Sequence, residues 1–253
     1  MLARRRLITG IAGVPLAAIL ADSRLAALAA GTTELVSITT KGGQKVSGAV
    51  ALPAKQPAPA VLLIHEWWGL NDQIKSMAAE FAKEGYVALA ADLFGGSVAT
   101  SQDEAKALMQ SVDPAQATDT LVSWVDWLRA NPAVNGKVAT VGWCFGGGWS
   151  INTAMATPVE ATVIYYGRLP QTAPEVKSVA GPVLGHFGEQ DAFINHDMVG
   201  GFEKAMKQAG KKLTVYWYNA NHAFANPTGA NYHKEDAQTA WARTLQFLKQ
   251  TIG

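Results

Sequence analysis

Cys144 is the only thiol in 253 residues, and it stands in the run GWCFGG (142–147). A thiol attacks a carbonyl carbon when a neighbouring base takes its proton and its backbone presents it to the substrate. The run follows KVATV (137–141), an apolar β-type stretch, and precedes small residues able to open a helix. That is the form of a nucleophile elbow, a sharp strand-to-helix turn that lifts one side chain above a parallel sheet. Gly142 and Gly146 suit such a turn, because Cβ atoms beside a strained backbone would clash. A lone cysteine is otherwise a small buried hydrophobe, so the reading depends on partners downstream.

An elbow of this kind calls for an acid and then a histidine further along the chain. The β-type run PVLGHFG (182–188) is followed by Glu189, Gln190 and Asp191, which lies 47 residues beyond the cysteine. The next apolar run, LTVYWY (213–218), leads into the loop NANHAF with His222, 31 residues beyond the acid. Both sit at strand carboxyl ends, where open α/β sheets gather their ligands. Singly, Asp191 could cap a helix beginning near Asn195, and His222 could serve its own loop backbone. The shared order and strand-end placement of all three favour a catalytic set.

The elements that must hold these residues alternate in type, as a doubly wound sheet requires. Residues 33–40 and 45–52 flank KGG and form an expected antiparallel hairpin at one edge. Strands are expected at VLLI (61–64), YVALAA (86–91), 137–141, 161–166, 183–187 and 213–218, with PAKQPAPA (53–60) as a surface loop. Helical spacing of Leu121, Trp124, Val125 and Leu128 marks a helix ending near Asn131, before Pro132. Further helices are expected over 73–83, after the elbow, and over 235–249, where Ala237, Trp241, Leu245 and Leu248 recur. The expected fold is α/β: a mostly parallel central sheet with helices on both faces.

The N-terminus points to export. Arg4, Arg5 and Arg6 precede an apolar stretch (7–21), and small residues follow to ALAA (27–30). This layout is a secretory signal, too short for a membrane span, and its arginines resemble a twin-arginine signal. Cleavage near Ala30 would leave a single domain over 31–253 in the periplasm, or secreted. One cysteine cannot form an internal disulfide, which suits an oxidising compartment. A formal net charge of +1, with 16% charged residues, gives no basic stripe for nucleic acid. His65 and Glu66 lack the second histidine of a zinc-protease helix, no tetrahedral ligand set has metal spacing, and the glycines at 146–148 lack a phosphate-binding lysine. Neither metal nor nucleotide cofactor is expected, and the chain is read as a monomer.

Several motifs fall in one order: HEWWGLN (65–71), ADLF (91–94), GWCFGG, VIYYG (163–167), GEQD (188–191) and HAF (222–224). Together they resemble the dienelactone hydrolase family, a cysteine branch of the α/β-hydrolases, from about Val46 to the C-terminus. The resemblance implies Cys144 as nucleophile, His222 as base, and Asp191 as the group that fixes the imidazole tautomer. It implies Glu66 as an extra carboxylate beside a thiol kept protonated at rest, displaced by substrate so that it assists deprotonation. The backbone N–H groups of Phe145 and Trp67 would form the oxyanion hole.

Trp68, Phe94, Trp143, Phe193 and Phe224, with Trp67, would line an apolar substrate pocket. Arg168, after YYG, would supply an anion-binding group or be a solvated loop residue. Relatives that cleave dienelactone hold the substrate carboxylate with arginines after the D-L-Y/F motif and after the histidine. The corresponding stretches here, FGGSVAT (94–100) and HAFANPT (222–228), contain none, and Gly, Ser and Asn do not replace a bidentate guanidinium. The expected activity is hydrolysis of a small ester or lactone. A promiscuous carboxylesterase without dienelactone activity, and a thiol sensor or binding protein on the same scaffold, are the alternatives.

Overall fold

The computed structural model describes residues 32–253, so the export signal expected over 1–30 lies outside the described residues. Eight strands form one sheet: β1 (Glu34–Thr39), β2 (Lys45–Ala51), β3 (Ala58–Ile64), β4 (Val87–Ala91), β5 (Val134–Trp143), β6 (Ala161–Tyr165), β7 (Val183–Gly188) and β8 (Leu213–Tyr218). Their spatial order is β1-β2-β4-β3-β5-β6-β7-β8. The β1–β2 and β2–β4 pairs are antiparallel, and every other pair is parallel. The edge hairpin therefore extends a parallel sheet whose inner strands, such as VALAA and ATVIY, are buried along their whole length and read as continuous apolar runs.

Alternation along the strands splits the core in two. Leu62, Ile64 and Leu89 face α3 (Pro114–Ala130), α4 (Phe145–Ala156) and α6 (His196–Gln208), while Val61, Leu63 and Ala90 face α1 (Asp72–Lys83) and α7 (Lys234–Thr251). Two further helices, α2 (Gln102–Ser111) and the one-turn α5 (Ala173–Val176), complete the layers. Asn71, Asp113 and Asn195 cap α1, α3 and α6 by accepting first-turn N–H groups. Among the described residues no helix is long and apolar enough to cross a membrane.

Two expectations change. The stretch 53–60, expected as a loop, gives its last three residues to β3, because buried Ala58 pairs with Val134 and the register shifts at Pro59. A shift is how a strand accommodates a residue without an N–H. Helix α2 has no counterpart in the sequence reading, since only Ala105 of its ten residues is buried.

A buried polar chain fastens α7 to the sheet. Arg243 donates to the Tyr218 hydroxyl (3.1 Å), which contacts His186 Nδ1 (2.8 Å), while His186 Nε2 contacts Thr244 Oγ1 (3.0 Å). Burial, reinforced by the Arg243 charge, pushes His186 down to about 3 from 6.5. The sign follows: the unfolded chain takes up a proton near pH 6.5 and the native state does not. This histidine's contribution is thus intact above pH 6.5 and eroded as the pH falls towards 3, at about 1.4 kcal/mol per pH unit. Urea midpoints between pH 7 and 4 should fall less steeply for a folded His186→Gln variant than for the native protein; equal slopes would remove His186 as the cause.

Candidate active site

The carboxyl ends of β3, β5, β7 and β8 deliver Glu66, Cys144, Asp191 and His222 to the same end of the sheet. Cys144 joins β5 to α4 with φ 53° and ψ −116°, a left-handed backbone uncommon for a residue with a side chain. A Cβ on Gly142 would lie 1.9 Å from the Gly146 carbonyl oxygen, and one on Gly146 would lie 2.1 Å from that of Ile64. The elbow is thus wedged against the end of β3 by backbone alone.

His222 Nε2 lies 3.1 Å from Cys144 Sγ, and its Nδ1 lies 2.6 Å from Asp191 Oδ2. An ionised carboxylate only accepts, so Nδ1 carries a proton and a neutral ring turns its Nε2 lone pair to sulfur. Asp191 Oδ1 accepts the N–H groups of Phe193 (2.8 Å) and Ile194 (3.0 Å). The cap of α6 is Asn195, which leaves Asp191 free of that alternative role. Burial works against a charged His222, but the bonds to Asp191 and to the thiol outweigh it and push the imidazole up to about 10. Burial likewise opposes the Asp191 charge, and His222 with the two N–H groups still holds the carboxyl below its ordinary range.

Glu66 is buried, and burial raises its pKa against the pull of its hydrogen bonds. Its oxygens accept from the Tyr166 hydroxyl (3.2 Å) and from Asn226 Nδ2 (2.6 Å), and no hydrogen bond joins it to the thiol. His65 secures the same loop, with Nδ1 2.6 Å from the Glu66 carbonyl and Nε2 accepting the Leu93 N–H at 3.1 Å. The sequence reading missed Tyr166, Asn226 and His65 as partners. All three lie within HEWWGLN (65–71), VIYYG (163–167) and HAFANPT (222–228), but Asn226 is 160 residues from the carboxylate it holds. The N–H groups of Phe145, first in α4, and of Trp67 have no acceptor among the described residues.

The aromatic residues separate into two groups. Phe193 is 75% exposed and stands edge-on to the His222 ring, at 6.2 Å between centroids. Trp67 and Trp68 are half-buried and touch one another. Phe94 packs between His65 and Phe145. Trp143 and Phe224 differ from expectation: both are buried in the core, Trp143 stacked on Tyr165 and Phe224 against Tyr166 and Tyr218. Period-two alternation explains Trp143, whose side chain points into the layer beneath α1 and α7 rather than along the elbow. Arg168 is exposed on the loop after β6.

Residues 46–252 match the model of the dienelactone hydrolase family. The chain belongs to that family. Dienelactone hydrolase relatives include the carboxymethylenebutenolidase of Pseudomonas putida, 32% identical over 85% of this chain and 96% of that one. The protein usf of Aquifex pyrophilus is 35% identical over 84% of this chain and 96% of its own. Among solved structures, a dienelactone hydrolase-like promiscuous phosphotriesterase from metagenomic libraries superposes with a TM-score of 0.80 at 25% identity, covering 88% of this chain and 100% of that one. The fold is accordingly that of the α/β-hydrolases, and as a member of this family the protein is an ester or lactone hydrolase.

Proposed function

We propose that Cys144, His222 and Asp191 form the catalytic triad of a hydrolase that cleaves a small ester or lactone through a thioester intermediate. The unbroken line from Sγ through both imidazole nitrogens to Oδ2, at 3.1 and 2.6 Å, carries this reading. With Nδ1–H held by Asp191, the free Nε2 of His222 takes the thiol proton as sulfur bonds to the carbonyl carbon. The carbonyl π pair moves onto oxygen, which the Phe145 and Trp67 N–H groups receive at the positive end of α4. Collapse of the tetrahedral species breaks the C–O bond, and His222 passes its proton to the leaving alkoxide. Water, deprotonated by the same nitrogen, then cleaves the thioester and returns the thiol. Asp191 keeps Nε2 aimed at sulfur throughout, and Glu66 gates the thiol from beside Trp67. Phe193, Trp67 and Trp68 receive the apolar part of the substrate, with Arg168 at the rim.

Brief exposure to p-nitrophenyl acetate followed by an acid quench should leave one acetyl group, about 42 Da, on a peptide containing Cys144. Acetate released without any such adduct, under conditions where nitrophenol shows a burst, would overturn the covalent route. We further propose that residues 1–30 direct export to the periplasm. Fractionated cells should hold the protein there, and its retention in the cytoplasm after Arg5→Lys with Arg6→Lys would support the twin-arginine route, whereas unchanged location would count against it.

A further inference from the structure

We propose that Asn226 makes this site selective for uncharged esters, by holding Glu66 in a neutral frame that offers no cation to a substrate carboxylate. The inference rests on the hydrolase reading of Cys144. Asn226 is 4% exposed and has a fixed orientation, because its Oδ1 accepts both the N–H (2.9 Å) and the hydroxyl (2.8 Å) of Thr228. Its Nδ2 is thereby turned to Glu66 Oε2 at 2.6 Å. The other Glu66 oxygen is taken by Tyr166, whose ring lies edge-on to His222 at 5.2 Å. The framed carboxylate is therefore part of the reaction site and not of a remote core.

Amide and phenol both donate without carrying charge, and among the described residues Glu66 makes no ion pair with lysine or arginine. Around the thiol stand two acids, Glu66 and Asp191, one imidazole committed to Asp191, and Arg168 out in solvent. A substrate carboxylate entering this space would lose hydration without gaining a buried cation beyond the imidazole already paired with Asp191, and would face like charge. An alkyl or aryl group loses only water held against Trp67, Trp68 and Phe193. Asn226 acts here as a positioning residue, through Glu66.

The test uses two esters of equal chain length, p-nitrophenyl butyrate and p-nitrophenyl hemisuccinate, which differ by a methyl against a carboxylate. The native protein should favour the neutral ester by about 100-fold in kcat/KM, with most of the difference in KM, since the distal group binds alike in ground and transition states. Asn226→Arg should bring the ratio below about 10 by lowering KM for the hemisuccinate. Asn226→Asp, nearest in shape, should widen it and move the lower limb of the pH–rate profile upward, as two facing carboxyls resist ionising together. If the arginine variant does not fold by circular dichroism, the native ratio and the aspartate variant decide. A native ratio near one with Cys144-dependent turnover, or a ratio unmoved by Asn226→Asp, overturns the proposal. Loss of Cys144-dependent turnover for both esters instead fails the hydrolase reading beneath it.

Discussion

Cys144→Ala is expected to lower kcat for p-nitrophenyl acetate by about 10⁵-fold, to the level of the oxyanion donors acting alone on attack by water. The expectation follows from how little else at the site can form a bond to carbon. Sulfur sits 3.1 Å from His222 Nε2, and among the described residues no other side-chain nucleophile is hydrogen-bonded to that nitrogen. The fold should survive the change. Alanine is smaller than cysteine, the thiol is only partly buried, and its one hydrogen bond among the described residues is the contact with His222. Circular dichroism and a thermal midpoint within a few degrees of native would separate chemistry from unfolding. Retained turnover in a folded variant would remove Cys144 from the mechanism and leave the family assignment intact.

Gly146→Ala should be far more damaging to the fold than its single added methyl suggests. The new Cβ would lie 2.1 Å from the Ile64 carbonyl oxygen and 2.5 Å from that of His65, and both are backbone atoms of a buried strand end that cannot rotate aside. Relief requires α4 to move away from β3, carrying Phe145 from Trp67 and opening the core beneath. The expected loss is about 4 kcal/mol or more, at the rare end for one substitution, with insoluble protein an acceptable form of the result. Gly200 is the control: it lies within α6, is exposed, and a Cβ there meets nothing within 4 Å. Gly200→Ala should raise stability by up to about 1 kcal/mol. Urea denaturation of the two variants side by side would test the claim, and similar midpoints would refute the account of the elbow as backbone wedged against backbone.

These contrasts show which parts of the molecule the sequence disclosed. Strands β4, β6 and β7 were plain because burial on both faces leaves an uninterrupted apolar run. The start of β3 was hidden because Pro59 and its polar neighbours resemble a loop, and only the pairing of Ala58 with Val134 draws them into the sheet. Helix α2 was hidden because it lies on the surface with one buried residue, so its sequence carries no apolar stripe. Within the site, the juxtaposition of Cys144, Asp191 and His222 was legible through chain order and strand ends. The frame around Glu66 was not, since Tyr166 and Asn226 lie 100 and 160 residues away and their side chains are polar for many possible reasons. Trp143 and Phe224 were misplaced by the same limit: nearness in sequence to a reactive residue does not say which way a ring points.

Asp191 divides its two oxygens between tasks, one holding the loop that follows it and the other holding the histidine. An asparagine here can keep the first task with its carbonyl oxygen while turning its NH₂ towards Nδ1. The imidazole must then carry its proton on Nε2, facing sulfur, and the thiol meets a donor where it needed an acceptor. Asp191→Asn would therefore yield a cleft of native outline with a reversed proton map. Such a protein is a ready substrate trap, able to retain the intact ester long enough for its identity to be read from what co-purifies.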